Sequence, residues 1–193
     1  MTNTFKGKRK VILVTDGDRI ARKTVEIAAK NVGARCISCS AGNPTVLSGE
    51  DIVKLIKTAP SDPVIVMLDD HGVNGAGRGE QAMEYIVKHP DIQVLGAIAV
   101  ASNTDKVCGC TVDLSVTSSG EVIKGSVDKY GNPQKTPLEG DTVEILDTLE
   151  IPIVVGIGDI GKMNGSDRAE KGAPLTTKAI RIILDGSGYH VHN

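Results

Sequence analysis

Two short aliphatic runs in this chain each end in a pair of acids. Val11-Ile12-Leu13-Val14-Thr15 leads into Asp16-Gly17-Asp18, and Val64-Ile65-Val66-Met67-Leu68 leads into Asp69-Asp70-His71-Gly72. Runs this short, with no polar alternation, read as strands buried on both faces, as strands of parallel sheets are. Ligands of open parallel sheets gather at the carboxyl ends of the strands. If the two runs are neighbours, four carboxylates crowd one rim. That crowding is costly unless a cation, a basic group or protonation relieves it.

The remaining pattern supports alternating strands and helices. Ile20, Val25, Ile27, Ala28, Ala29 and Val32 fit a helix stopped by Gly33, followed by a strand over 35–40. Ser48 reads as an N-cap with Glu50 and Asp51 in the first turn, and Ile52, Val53, Leu55 and Ile56 as that helix's buried stripe. A helix over 80–88 and a strand over 94–100 come next. Residues 111–116 and 121–127 alternate around Ser119-Gly120, as a β-hairpin does, and 129–140 reads as a polar, mobile loop. A helix is expected to start at Asp141, with Val143, Ile145, Leu146 and Leu149 inward. A last core strand is expected over 151–155, then a glycine-rich loop over 156–172, and a final helix opened by Pro174. The predicted fold is α/β: a doubly wound, mainly parallel sheet with helices on both faces, Rossmann-like or Toprim-like, with a β-hairpin insertion. Residues 1–10 form a basic arm, and 11–193 a single domain with its insertion at about 107–140.

Composition narrows the function. The chain has one Phe, three Tyr and no Trp among 193 residues, too few aromatic faces for a base-stacking platform. A formal net charge of -2 gives no field favouring nucleic acid or an anionic membrane. The basic run of Lys6, Lys8, Arg9 and Lys10 reads as a solvated arm guarding the first strand. The apolar stretch behind it is too short for a signal peptide, and no segment approaches the roughly 18 apolar residues of a membrane span. The expectation is a soluble chain with at most peripheral membrane contact. The cysteines, Cys36-x-x-Cys39 and Cys108-x-Cys110, could make a zinc site. Cys36 and Cys39 on one strand would point to opposite faces, however, so packed and loop thiols are the simpler reading.

Several candidate sites emerge. Asp16, Asp18, Asp69 and Asp70 are oxygen ligands of the type Mg²⁺ takes, although Asp is also a common turn former after strands. Gly75-Ala76-Gly77-Arg78-Gly79 precedes a helix. Gly77, Gly79 and Arg78 could bind an anion there, or the glycines could serve turns of positive φ. His71 beside the acids could carry a proton, and Asn43, Ser102, Gly158 and Lys162 complete the candidate ligand set. Gly156-Ile157-Gly158-Asp159-Ile160-Gly161 spells a dinucleotide fingerprint, but the residues after it read as loop rather than the required helix. No Walker A sequence, G-x-S-x-G elbow or H-E-x-x-H occurs, so no catalytic residue is assigned. Toprim domains place a Glu after the first strand and Asp-x-Asp after a later one; here Asp16 and an unspaced Asp69-Asp70 stand there. Response-regulator receivers use acids, a hydroxyl and a Lys; Ser102 and Lys162 could serve, but the hairpin is foreign to them.

Three stretches carry a closer resemblance. They are Lys8-Arg9-Lys10-Val11-Ile12-Leu13-Val14-Thr15-Asp16-Gly17-Asp18, Ser40-Ala41-Gly42-Asn43-Pro44-Thr45, and His89-Pro90-Asp91-Ile92-Gln93-Val94-Leu95-Gly96-Ala97-Ile98-Ala99-Val100-Ala101-Ser102-Asn103. In these the chain resembles the soluble form of stage V sporulation protein AE. The resemblance implies a soluble accessory of the spore membrane channel system for dipicolinic acid, acting in sporulation and germination. It implies partners among the soluble and membrane proteins of the same operon, and a place on the outer surface of the spore inner membrane. It supplies no catalytic motif and no established cofactor. The alternatives are a Mg²⁺-dependent Toprim-like or phosphoryl-transfer enzyme, or its relic, and a sensor of dipicolinate or its calcium chelate.

Overall fold

A computed structural model describes residues 7–72, 76–102 and 109–190. Its centre is a seven-stranded sheet in the order β2-β3-β1-β4-β9-β5-β6. The strands are β1 (Arg9–Val14), β2 (Arg35–Cys36), β3 (Val64–Met67), β4 (Ile92–Val100), β5 (Leu114–Val116), β6 (Val122–Ile123) and β9 (Val154–Ile157). All pairings are parallel except β5 with β6. A second, two-stranded antiparallel sheet joins β7 (Ser126–Val127) to β8 (Pro133–Gln134). The helices are α1 (Arg19–Asn31), α2 (Gly49–Thr58), α3 (Arg78–Lys88) and α4 (Pro174–Ser187).

The pleat sorts the core into two layers. Ile12 and Val14 of β1 face Ala21, Val25 and Ala28 of α1 and Ile180 and Ile183 of α4. Val11 and Leu13, one residue out of phase, face Ile52 and Ile56 of α2 and Met83 and Ile86 of α3. Each fully buried Val, Leu, Ile or Met side chain among these contributes about 1.5–3 kcal/mol of transfer free energy. The expected doubly wound α/β sheet is therefore present, with helices on both faces. Its winding also positions the site. β1 runs on to α1 on one face, while its neighbour β3 runs on to α3 on the other, so the loops after β1 and β3 lie side by side at the carboxyl rim and leave it toward opposite faces.

Local boundaries differ from expectation for identifiable reasons. The second strand stops at Cys36 rather than reaching residue 40, and Ser38–Ser40 is a 3₁₀ turn. The Ser40 hydroxyl donates to Ile37 O (2.7 Å) and accepts from Met67 N–H (2.9 Å), replacing the strand ladder with side-chain bonds. The segment after Asp141 is a 3₁₀ turn, Glu144–Thr148, not an α-helix. Thr142 before it has φ 60°, which breaks helical continuity. The last core strand begins at Val154 instead of residue 151, since Pro152 has no N–H for the ladder. The first glycine of the G-x-G-x-x-G string thus lies inside β9, and the string gives way to a 3₁₀ turn, Met163–Gly165. No helix opens there to complete a dinucleotide site.

The hairpin forms as expected around Ser119 and Gly120, with Ser115 opposite Ile123. Its second limb breaks at Gly125 (φ 100°), so β7 leaves the main sheet and pairs with β8. Residues 129–140 are more than a polar loop, because they contain β8 and the fully buried Leu138, which bridges to Cys110. Cys36 packs half-buried against the α1 layer, Cys39 is exposed and Cys110 is buried. Cys108 lies outside the described residues.

Candidate functional site

Thr15 and Leu68 follow the last residues of β1 and β3. The two acid loops behind them meet at the carboxyl rim, but each carboxylate has its own work. Asp18 is the N-cap of α1: its Oδ1 accepts from the N–H groups of Ile20 (2.7 Å) and Ala21 (2.8 Å). Its Oδ2 lies 3.2 Å from Lys162 Nζ, which also reaches Asp159 Oδ1 at 3.1 Å. Asp16, half-buried between them, accepts one bond, from Asp18 N–H (3.0 Å).

The loop after β3 is tied more heavily. Asp69 Oδ2 accepts from Gly17 N–H (3.1 Å) and Oδ1 from His71 N–H (3.0 Å), so its side chain stitches the two acid loops together. Its backbone exchanges two 2.8 Å bonds with Thr45. Asp70 turns the other way and caps α3 from nine residues upstream. Its Oδ1 accepts from Gly79 N–H (2.5 Å) and its Oδ2 from Glu80 N–H (3.0 Å), with the Thr142 hydroxyl 3.2 Å from Oδ2.

That cap explains the glycine-rich run. A Cβ at Gly77 would stand 2.2 Å from Asp70 Oδ1, and one at Gly79 2.8 Å from the Asp69 backbone. Neither glycine has positive φ; what they supply is the close approach of loop to helix. Gly75 lies outside the described residues. Arg78 opens α3 on the exposed surface, and the helix end beneath it is occupied by Asp70.

The other candidates separate. His71 Nδ1 contacts Asn43 Oδ1, linking the loop after β3 to the turn before α2. The Ser102 hydroxyl accepts from Asp141 N–H (3.1 Å), whereas Lys162 belongs to Asp18 and Asp159. Ser102 and Lys162 therefore stand beside different acids and not around one, as a receiver-like site needs. Gly158 follows β9, and a Cβ there would stand 2.8 Å from Lys129 O and Gly131 N. Sequence reasoning missed two members of the rim. Asp141, expected as a helix start, instead accepts from Gly72 N–H and stands close enough to Asp69 to raise its pKa. Glu80, expected as an ordinary helix residue, sits beside Asp70, Asp141 and Glu144.

Burial and like charge act together on these groups. Burial, then Asp18, Asp69 and Asp159, push Asp16 up to about 8. Burial, then Asp141, push Asp69 to about 6. Burial, then Asp70, Glu144 and Asp141, push Glu80 to about 7. Burial also raises Asp70 and Asp159. For Lys162, burial works against the charge, but the ion pairs with Asp159 and Asp18 outweigh it and its pKa rises. At neutral pH Asp16 keeps its proton and Glu80 shares one, while Asp69 is largely ionised. Among the described residues no group of three or more His, Cys, Asp or Glu side chains is arranged to hold a metal ion. The oxygens of Asp69 and Asp70 already face backbone N–H groups.

An α/β sheet wound to both sides, with an acid-rich carboxyl rim, describes the class of this protein. The model of a sporulation family, stage V sporulation protein AE1, matches residues 10–187. The chain belongs to that family, and its role lies in sporulation. A crystal structure of a domain of unknown function (DUF1537) from Bordetella bronchiseptica, a domain-swapped dimer with bound citrate, is similar at 14% identity and a TM-score of 0.38. That similarity covers 96% of this chain and 41% of the other. No curated protein matches the chain. Among the described residues no helix is long and apolar enough to cross a membrane.

Proposed function

We propose that this protein is a non-enzymatic accessory of the spore membrane channel system for dipicolinic acid, acting in sporulation and germination through protein–protein contact. Its partners are the soluble and membrane-embedded proteins of the same operon, and it works at the outer surface of the spore inner membrane. One observation supports a docking role: the carboxylates of Asp69 and Asp70 are hydrogen-bonded to backbone N–H groups of Gly17, His71, Gly79 and Glu80. Oxygens so engaged fix the shape of the loops that carry them. A rim of fixed loops suits recognition, for which a patch of about 800 Å² per partner is enough. The turn around Asn43, the loop after β3 and the segment 156–172 are the contact surfaces in this reading.

The test is retention on spore inner membranes. Membranes carrying the channel subunits should hold the protein through low-salt washing, and membranes lacking them should release it. Equal release from both would overturn the docking reading. Calorimetric binding of dipicolinate, or of its calcium chelate, by the purified chain would replace docking with sensing. Saturable stabilisation by Mg²⁺ that Asp69→Asn abolishes would reinstate the metal-dependent alternative.

A further inference from the structure

We draw no further inference here: the strongest candidate, the groove of about 340 Å³ between the start of α2 and the outer face of α3, walled by the exposed Val46 and Tyr85, is an unpartnered surface, and nothing in the structure shows what covers it.

Discussion

The loops after β1 and β3 look alike in sequence and are built differently. After β1, Asp18 caps the helix that begins at the next residue, and Asp16 is left with a single N–H donor. After β3, Asp70 caps a helix that begins eight residues later, and Asp69 accepts from both loops. Two acids at a strand end are therefore not one kind of object. Burial leads the shift at both, and N–H groups oppose it. Burial raises Asp69 to about 6 against two donors and Asp16 to about 8 against one.

Removing the caps should break the comparison open. The largest loss is expected at Asp167, a fully buried acid that accepts from Gly161, Leu175 and Thr176 N–H at 2.9–3.1 Å and from the Thr176 hydroxyl at 2.6 Å. It is a remote cap like Asp70, serving α4. Asp167→Ala leaves four buried donors without an acceptor and should cost about 3–5 kcal/mol. Asp70→Ala should cost about 2–3 kcal/mol, since fewer donors are stranded, and lower the melting temperature by about 4–12 °C for a chain of this size. Asp18→Ala, the local cap, should cost only about 1 kcal/mol, because its N–H groups face water once freed. Urea midpoints rank the three. An Asp18 loss equal to that of Asp70 would mean that local and remote caps do the same work.

The same contrast explains what was legible in the sequence. Local signals read correctly. Ser48 caps α2 through Asp51 N–H at 3.1 Å, Pro174 opens α4, and the aliphatic runs are the central strands. Remote caps are not legible, because a side chain seven or eight residues before the helix it serves leaves no spacing rule to search for. Asp167 therefore passed as a loop residue, and Asp70 as a candidate ligand. The glycines at 77 and 79 were visible, but their reason, the approach of Asp69 and Asp70, belongs to tertiary structure. Asp141 was misplaced because an acid before an apolar stripe looks like a helix start, whereas here it faces Gly72 and Asp69 across the rim.

Proton linkage sharpens the difference between Asp16 and Asp69. A carboxyl whose pKa rises on folding binds more protons in the native state. Stability then falls as pH rises from the unfolded value to the folded one, and is level beyond it. Asp69 acts between about 4 and 6, Glu80 up to about 7 and Asp16 up to about 8. Unfolding free energies at pH 5, 6, 7 and 8 should decline throughout. Asp16→Asn should flatten the segment between pH 7 and 8, which the other two have already left. Asp69→Asn removes one like charge beside Asp16, so the end of the decline should move to lower pH. A decline between pH 7 and 8 that persists in Asp16→Asn would place the proton on another group.

The smallest effect is expected at Lys162, although it joins the loop after β1 to the loop after β9 by touching both Asp18 and Asp159. Its side chain is 41% exposed, and ion pairs this accessible contribute about 0.2–1 kcal/mol, less as salt screens them. Lys162→Met keeps most of the aliphatic stem and removes the charge. Stability at low salt should drop by about 0.5 kcal/mol or less, and the difference should vanish near 1 M salt, where the screening length is about 3 Å. The pH profile should move further than the stability does. Without this cation the carboxyls of Asp16, Asp18 and Asp159 face one another uncompensated, so the declining segment should extend above pH 8. A large stability loss at high salt would show that Lys162 holds the loop after β9 by packing, and the bridge would then belong with the remote caps instead of with the open pair after β1.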